Sequence, residues 1–149
     1  MALTLLFEGH VSDIHLNDFD RSIWAFWDSA LNATDDLISL IETAPIDMEG
    51  WYRQRDIYQN ASDYDDLTLG FATFFLNRTN RSGIVKGAGV IGGLEQQGNY
   101  KMDCRFNRTG LAKRIKRIAK YRSRIHLHQL DALAFMDRMD ESLIRNYPE

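Results

Sequence analysis

The side chains best suited to hold a ligand in this sequence follow two short alternating stretches. Asn17-Asp18 closes Val11-Ser-Asp-Ile-His-Leu16, and Asp131 comes just after Ile125-His-Leu-His128. Both stretches alternate apolar and polar residues and contain β-branched side chains, so both read as strands. Ligands of open α/β sheets bind beyond the carboxyl ends of such strands, where an acid accepts hydrogen bonds from ribose hydroxyls. The same acids can cap a following helix instead. The residues alone leave both readings open at Asp18 and at Asp131.

The second candidate is electrostatic. A net charge of −3 conceals a strong segregation along the chain. Residues 1–74 hold three Lys and Arg against fourteen Asp and Glu, a net of −11. Residues 75–128 hold thirteen cations against only Glu95 and Asp103, a net of +11, and residues 129–149 return to −3. A polyanion responds to local charge rather than to the chain average, so nucleic acid stays open as a partner. Arg78, Arg81, Lys86, Lys101 and Arg105 lie in a glycine-rich stretch, and Lys113, Arg114, Lys116, Arg117 and Lys120 follow at helical spacing. Phosphate neutralisation with counterion release is the natural use of such a surface. Internal pairing with the acidic first half is the competing use.

Other motifs carry less. Gly87-Ala-Gly-Val-Ile-Gly92 matches a dinucleotide-binding spacing, but a poor helix follows it, Gly93-Leu-Glu-Gln-Gln-Gly98, so it reads as loop flexibility. His126 and His128 share a face of the expected strand without a third ligand at metal spacing, and read as structural. No nucleophile, base and acid constellation stands out, so no catalytic residue is assigned. Cys104 is the only cysteine, which excludes an intramolecular disulfide and fits a reducing, cytoplasmic setting. The first residues lack a basic leader and a small-residue cleavage site, which argues against a signal peptide. No apolar run approaches the ~20 residues a membrane helix needs.

The elements that must position these groups can be read from periodicity. After the first strand, a helix over about 20–31 places Ile23, Phe26, Trp27 and Ala30 on one face. Thr34 is the expected N-cap of a second helix ended by Pro45. Further helices are expected over 47–60 and 63–77, then a long loop over 79–107 and a cationic helix over 109–121. A strand over 125–128 and a helix starting near Asp131 complete the order. At 149 residues the chain suits one compact α/β unit whose sheet carries a helical and loop insertion.

Several stretches together resemble adenine-N6 DNA methyltransferases of the Dam type, which use S-adenosylmethionine. They are Asp13-Ile-His-Leu-Asn-Asp-Phe-Asp20 with Ile23-Trp-Ala-Phe-Trp27, and Phe74-Phe-Leu-Asn-Arg-Thr-Asn-Arg-Ser-Gly-Ile84. Gly98-Asn-Tyr-Lys-Met-Asp-Cys-Arg-Phe-Asn107 with Leu111-Ala-Lys-Arg-Ile115, and Leu130-Asp-Ala-Leu133, extend the likeness over roughly residues 2–136. The resemblance implies an incomplete Rossmann-like methyltransferase core over 1–45 and 122–149, with a target-recognition region over 46–121. It implies that Asp18, with Asn17, holds the cofactor ribose and that Asp131 lies beside the cofactor adenine. Arg81, Ser82 and Lys86 would lie near bases, with Arg78, Lys101, Arg105, Lys113, Arg114, Lys116 and Arg117 on the phosphates of double-stranded DNA. Such enzymes extrude the target adenine from the duplex before transferring methyl to it.

Two family motifs are not matched. Met1-Ala-Leu-Thr-Leu-Leu-Phe-Glu-Gly9 resembles the helix after a Phe-x-Gly-x-Gly turn rather than the turn, and Asn146-Tyr-Pro-Glu149 is no Asp-Pro-Pro-Tyr. The expectation is therefore a partial methyltransferase, inactive as an isolated chain and binding S-adenosylmethionine weakly or not at all. The alternative is a non-enzymatic DNA-binding or regulatory protein derived from the same family. A sheet cut after two strands would leave Trp24, Phe26, Trp27, Phe74 and Phe75 short of cover, predicting marginal stability, self-association or a complementing chain.

Overall fold

The computed structural model describes residues 1–146. Helix α1 (Ala2–Phe7) leads to strand β1 (Ile14–Asn17), followed by α2 (Arg21–Asn32), α3 (Thr34–Thr43) and α4 (Met48–Gln59). Helix α5 (Asp66–Thr79) enters the long connection, α6 (Arg108–Lys120) leaves it, and β2 (Ile125–His128) and α7 (Ala132–Asn146) follow. The architecture is mixed α/β and mostly helical, with one two-stranded parallel sheet in which Ile14 pairs with Ile125 and Asn17 with His128. The Asn146-Tyr-Pro-Glu149 stretch and the end of the expected 122–149 segment run outside the described residues.

Local chemistry sets the helix starts. Asp20, Asp47, Asp65 and Asn107 each accept a backbone N–H from the first turn of the helix they precede, satisfying donors that have no partner within the helix. Thr34 does not cap. It is the first residue of α3, and its hydroxyl donates back to the Ala30 carbonyl at 2.7 Å because only Ala33 separates it from the end of α2. The first strand is shorter than its alternation suggests. Val11 and Ser12 stay outside the sheet, and their carbonyls accept from the Arg124 guanidinium instead.

The main apolar cluster is drawn from α2, α3, α4, α5, the long connection and α6, so it spans both sides of the boundary expected near residue 45. Phe71 and Phe75 are its largest wholly enclosed side chains. Helix α5 lies against α2 so closely that a Cβ on Gly70 would meet the Ala25 carbonyl oxygen at 2.6 Å. A smaller cluster joins Leu6 of α1, Ile14, Leu31, Ile118 and Ile125 beneath the sheet. Phe74 and Phe75, expected to lack cover, are 9% and 0% exposed, because Phe106 and α6 pack over them. Trp24, Phe26 and Trp27 are half-buried. Among the described residues no helix is long and apolar enough to cross a membrane.

Candidate nucleic-acid interface and strand-end acids

Parallel pairing brings the carboxyl ends of β1 and β2 side by side, and with them Asp18 and Asp131. The Asp18 amide donates to the His128 carbonyl at 3.2 Å, and its Oδ1 accepts from the Asp20 amide at 2.9 Å. Asp131 Oδ1 accepts from the amides of Leu133 and Ala134, both at 3.0 Å, so this acid caps α7. Of the two roles left open by the residues, Asp131 takes the cap, whereas Asp20 caps α2 and Asp18 braces only the turn before it; among the described residues neither Oδ2 has a hydrogen-bond partner. Phe19 and Leu133 stand beside them, 73% and 74% exposed. Asn17 has a different place. Its amide donates to the Leu130 carbonyl at 3.0 Å and accepts the Leu130 N–H at 2.9 Å, so it fastens the strand ends together rather than facing outward.

The sheet face beside these acids carries histidines. His15 and His126 are cross-strand partners whose rings stack at 4.6 Å, and His15 Nδ1 lies 2.9 Å from His128 Nε2. His126 Nε2 meets Asp13 Oδ1 at 2.9 Å, which holds the Asp13 carboxyl below its ordinary range. Burial, then the neighbouring ring of His126, pushes His15 below the ordinary imidazole value, and burial with His15, Arg138 and His126 does the same for His128. Among the described residues no cluster of three or more His, Cys, Asp or Glu side chains could hold a metal ion.

The cations behave differently. Among the described residues, none of the thirteen Lys and Arg between Arg78 and Arg124 forms an ion pair with a carboxylate. Several are instead bonded to neutral carbonyls. Arg78 donates through Nε and Nη2 to the Arg105 carbonyl, Arg105 donates to the Asn77 carbonyl, and Lys101 donates to that of Gln96. Arg108 donates to the carbonyls of Ile41 and Ala44 at 2.8 and 2.7 Å, closing the carboxyl end of α3. Arg117 lies over the Phe7 ring at 4.2 Å. Burial, with the guanidinium groups of Arg105 and Arg114 nearby, pulls the pKa of Arg78 below the ordinary arginine value. Lys113, Arg114, Lys116, Arg117 and Lys120 are exposed around the face of α6 opposite its buried Leu111, Ile115 and Ile118.

The glycine-rich connection is folded rather than loose. Arg81-Ser82-Gly83 forms a 3-10 turn with Ser82 at φ 55° and Gly83 at φ 70°. The Arg81 amide donates to the Gly89 carbonyl and the Ile91 amide to that of Thr79, so Asn80 and Val90 face each other as an antiparallel bridge. Arg81, Ser82 and Lys86 are all exposed on this fold.

No protein-family model matches the chain, and no curated protein matches it.

Two hollows flank the folded connection. A cleft of about 830 Å³ lies between α4 and residues 85–89, lined by Trp51, Arg55, Tyr58 and Lys86. A groove of about 590 Å³ runs over α2, α5 and α6, with Phe26, Phe74 and Ile115 among its apolar lining and Arg78, Lys86 and Arg114 among its cations. Sequence reading missed Asn80, which is 1% exposed yet polar and lies at the root of the connection. The signal available for it was its place at the end of an apolar helix, directly before the cationic turn.

Proposed function

We propose that this chain carries the DNA-recognition region and part of the cofactor site of an adenine-N6 DNA methyltransferase, built on a Rossmann-like sheet. The observation that supports this most is the uncompensated cationic surface. Thirteen cations lie between residues 78 and 124, and none has a carboxylate partner among the described residues. Arg81 and Lys86 project from a folded turn while the lysines of α6 form a broad positive face beside it. That pairing suits a duplex, with the turn reaching base edges and the helix face bearing on phosphates.

S-adenosylmethionine, when bound, supplies the transferable methyl group. Asp18 and Asp131 fit its ribose and adenine ends, because both lie at adjacent strand ends and each keeps one carboxylate oxygen outside its turn. Asn17 acts behind them by joining the strands. The decisive measurement is fluorescence anisotropy of a labelled 20-bp duplex against salt. With six or more phosphates neutralised, affinity should fall roughly 10³-fold between 50 and 200 mM salt. Absent or salt-insensitive binding would overturn the reading. Transfer of labelled methyl to adenine by the purified chain would separate an enzyme from a DNA-binding protein that shares its recognition region.

A further inference from the structure

We propose that Asn80, held by Trp51, is the positioning residue that sets the shape of the recognition turn; this rests on the DNA-binding reading above. Its side chain is wholly enclosed and almost fully used. Asn80 Oδ1 accepts the Trp51 indole N–H at 2.8 Å, while Nδ2 donates to the carbonyls of Ile84 and Val85 at 3.0 and 3.3 Å. The backbone of the same residue accepts from the Gly83 amide and pairs across to Val90. One amide therefore ties α4, the end of α5 and the far side of the turn to a single point.

Besides these bonds the turn is held by its backbone bridge and by Val85 and Val90 against the core. Gly83, Gly87, Gly89, Gly92 and Gly93 contribute no side-chain packing, and Ile84 is 55% exposed. Asn77 also donates to the Gly83 carbonyl at 2.9 Å, but it is exposed, where water competes for the same bond. Ser82 sits in the left-handed region, which a non-glycine residue occupies only when its surroundings dictate it. Arg81 and Lys86 lie on either side of the span that Asn80 gathers, so their separation follows from these bonds. Trp51, from the acidic half of the chain, thus acts on base recognition without touching DNA.

A positioning role predicts a loss of discrimination without a loss of phosphate grip. Trp51→Phe keeps an aromatic side chain but loses the pyrrole half of the indole with its N–H; the double variant Trp51→Phe, Asn80→Leu also removes the acceptor that the first change leaves unpaired, and with it the donor to the Ile84 and Val85 carbonyls. Each is compared with wild type in tryptic cleavage after Arg81 and Lys86, in enrichment of a 20-bp duplex pool with a randomised centre, and in the salt slope for the bulk pool. The expected result is cleavage at least about tenfold faster, enrichment lost, and an unchanged salt slope. Unchanged cleavage and enrichment in a folded variant would overturn the proposal. In wild type, the Trp51 indole proton and the amides of Arg81, Gly83 and Ile91 should exchange with solvent together; independent exchange would overturn it even if neither variant folds. Failure of the wild type to bind the pool would instead count against the DNA reading, while cleavage and exchange still decide what orders the turn.

Discussion

Two of the three arginines of the acidic half meet carboxylates, and among the described residues none of those in the basic half does. In the acidic half, Arg21 pairs with Asp66 at 3.0 Å while also donating to the Ala61 and Tyr64 carbonyls, and Arg53 pairs with Glu49 at 3.3 Å, so each of these two cations sits against an opposite charge. In the basic half, Arg78, Arg105, Arg108 and Arg124 brace the structure through neutral carbonyl oxygens. A carbonyl accepts the hydrogen bonds but carries no net charge, so the brace forms and the positive field survives. A guanidinium can do this because it stays charged in all ordinary conditions and offers five donors. The contrast teaches that a cation can be structural and still leave its positive charge at the surface.

Breaking that contrast should give the largest effect at the solvent-facing lysines. The triple variant Lys113→Gln, Lys116→Gln, Lys120→Gln should weaken duplex binding roughly 100-fold at 0.1 M salt and make the log–log salt slope shallower by about three, with an unchanged thermal midpoint. Anisotropy titrations and a melting curve read both. Arg108→Met should act the other way round. Loss of two charge-assisted bonds at the end of α3 should cost about 1.5–3 kcal/mol in urea unfolding while the binding slope changes by no more than one.

Gly70→Ala tests the close seating of α5 on α2 within the acidic half. The added methyl would overlap the Ala25 carbonyl at 2.6 Å, so separation of α2 from α5 should cost about 2 kcal/mol, read by the same unfolding curve. A smaller change follows from pH. His15 and His128 bind protons more weakly folded than unfolded. Stability is therefore whole above the unfolded value of 6.5, falls as the pH drops through it, and levels off below their lowered folded values. The thermal midpoint should drop by a few degrees between pH 7.5 and 5.0, and His128→Asn should flatten that dependence. Smallest of all, Arg53→Gln should change stability by less than about 0.5 kcal/mol and leave DNA binding alone, since an exposed pair on one helix contributes little.

Much of this was legible because the relevant forces are local. Ile125-His-Leu-His128 is a strand over the expected residues, and the cationic face of α6 follows from 3.6-residue spacing around Leu111, Ile115 and Ile118. What was hidden depends on partners distant in sequence. Asn80 meets Trp51 across 29 residues, and Asn17 meets Leu130 across 113, so neither side chain announces its role beside its neighbours. Val11 and Ser12 alternate like a strand but lose their place to Arg124, which no periodicity could reveal. The cover over Phe74 and Phe75 comes from Phe106, a residue within a stretch with no regular pattern.

Asn17 has a consequence for the proposed cofactor end. Its carboxamide presents the same donor and acceptor pair as a peptide group, and Leu130 answers both, so the ladder between the strands gains one rung beyond its last backbone pair. The strand ends that carry Asp18 and Asp131 are therefore tied to each other rather than left to two independent loops. A molecule gripped at both ends would find the opening already cut to width, and little motion would remain to be frozen when it enters.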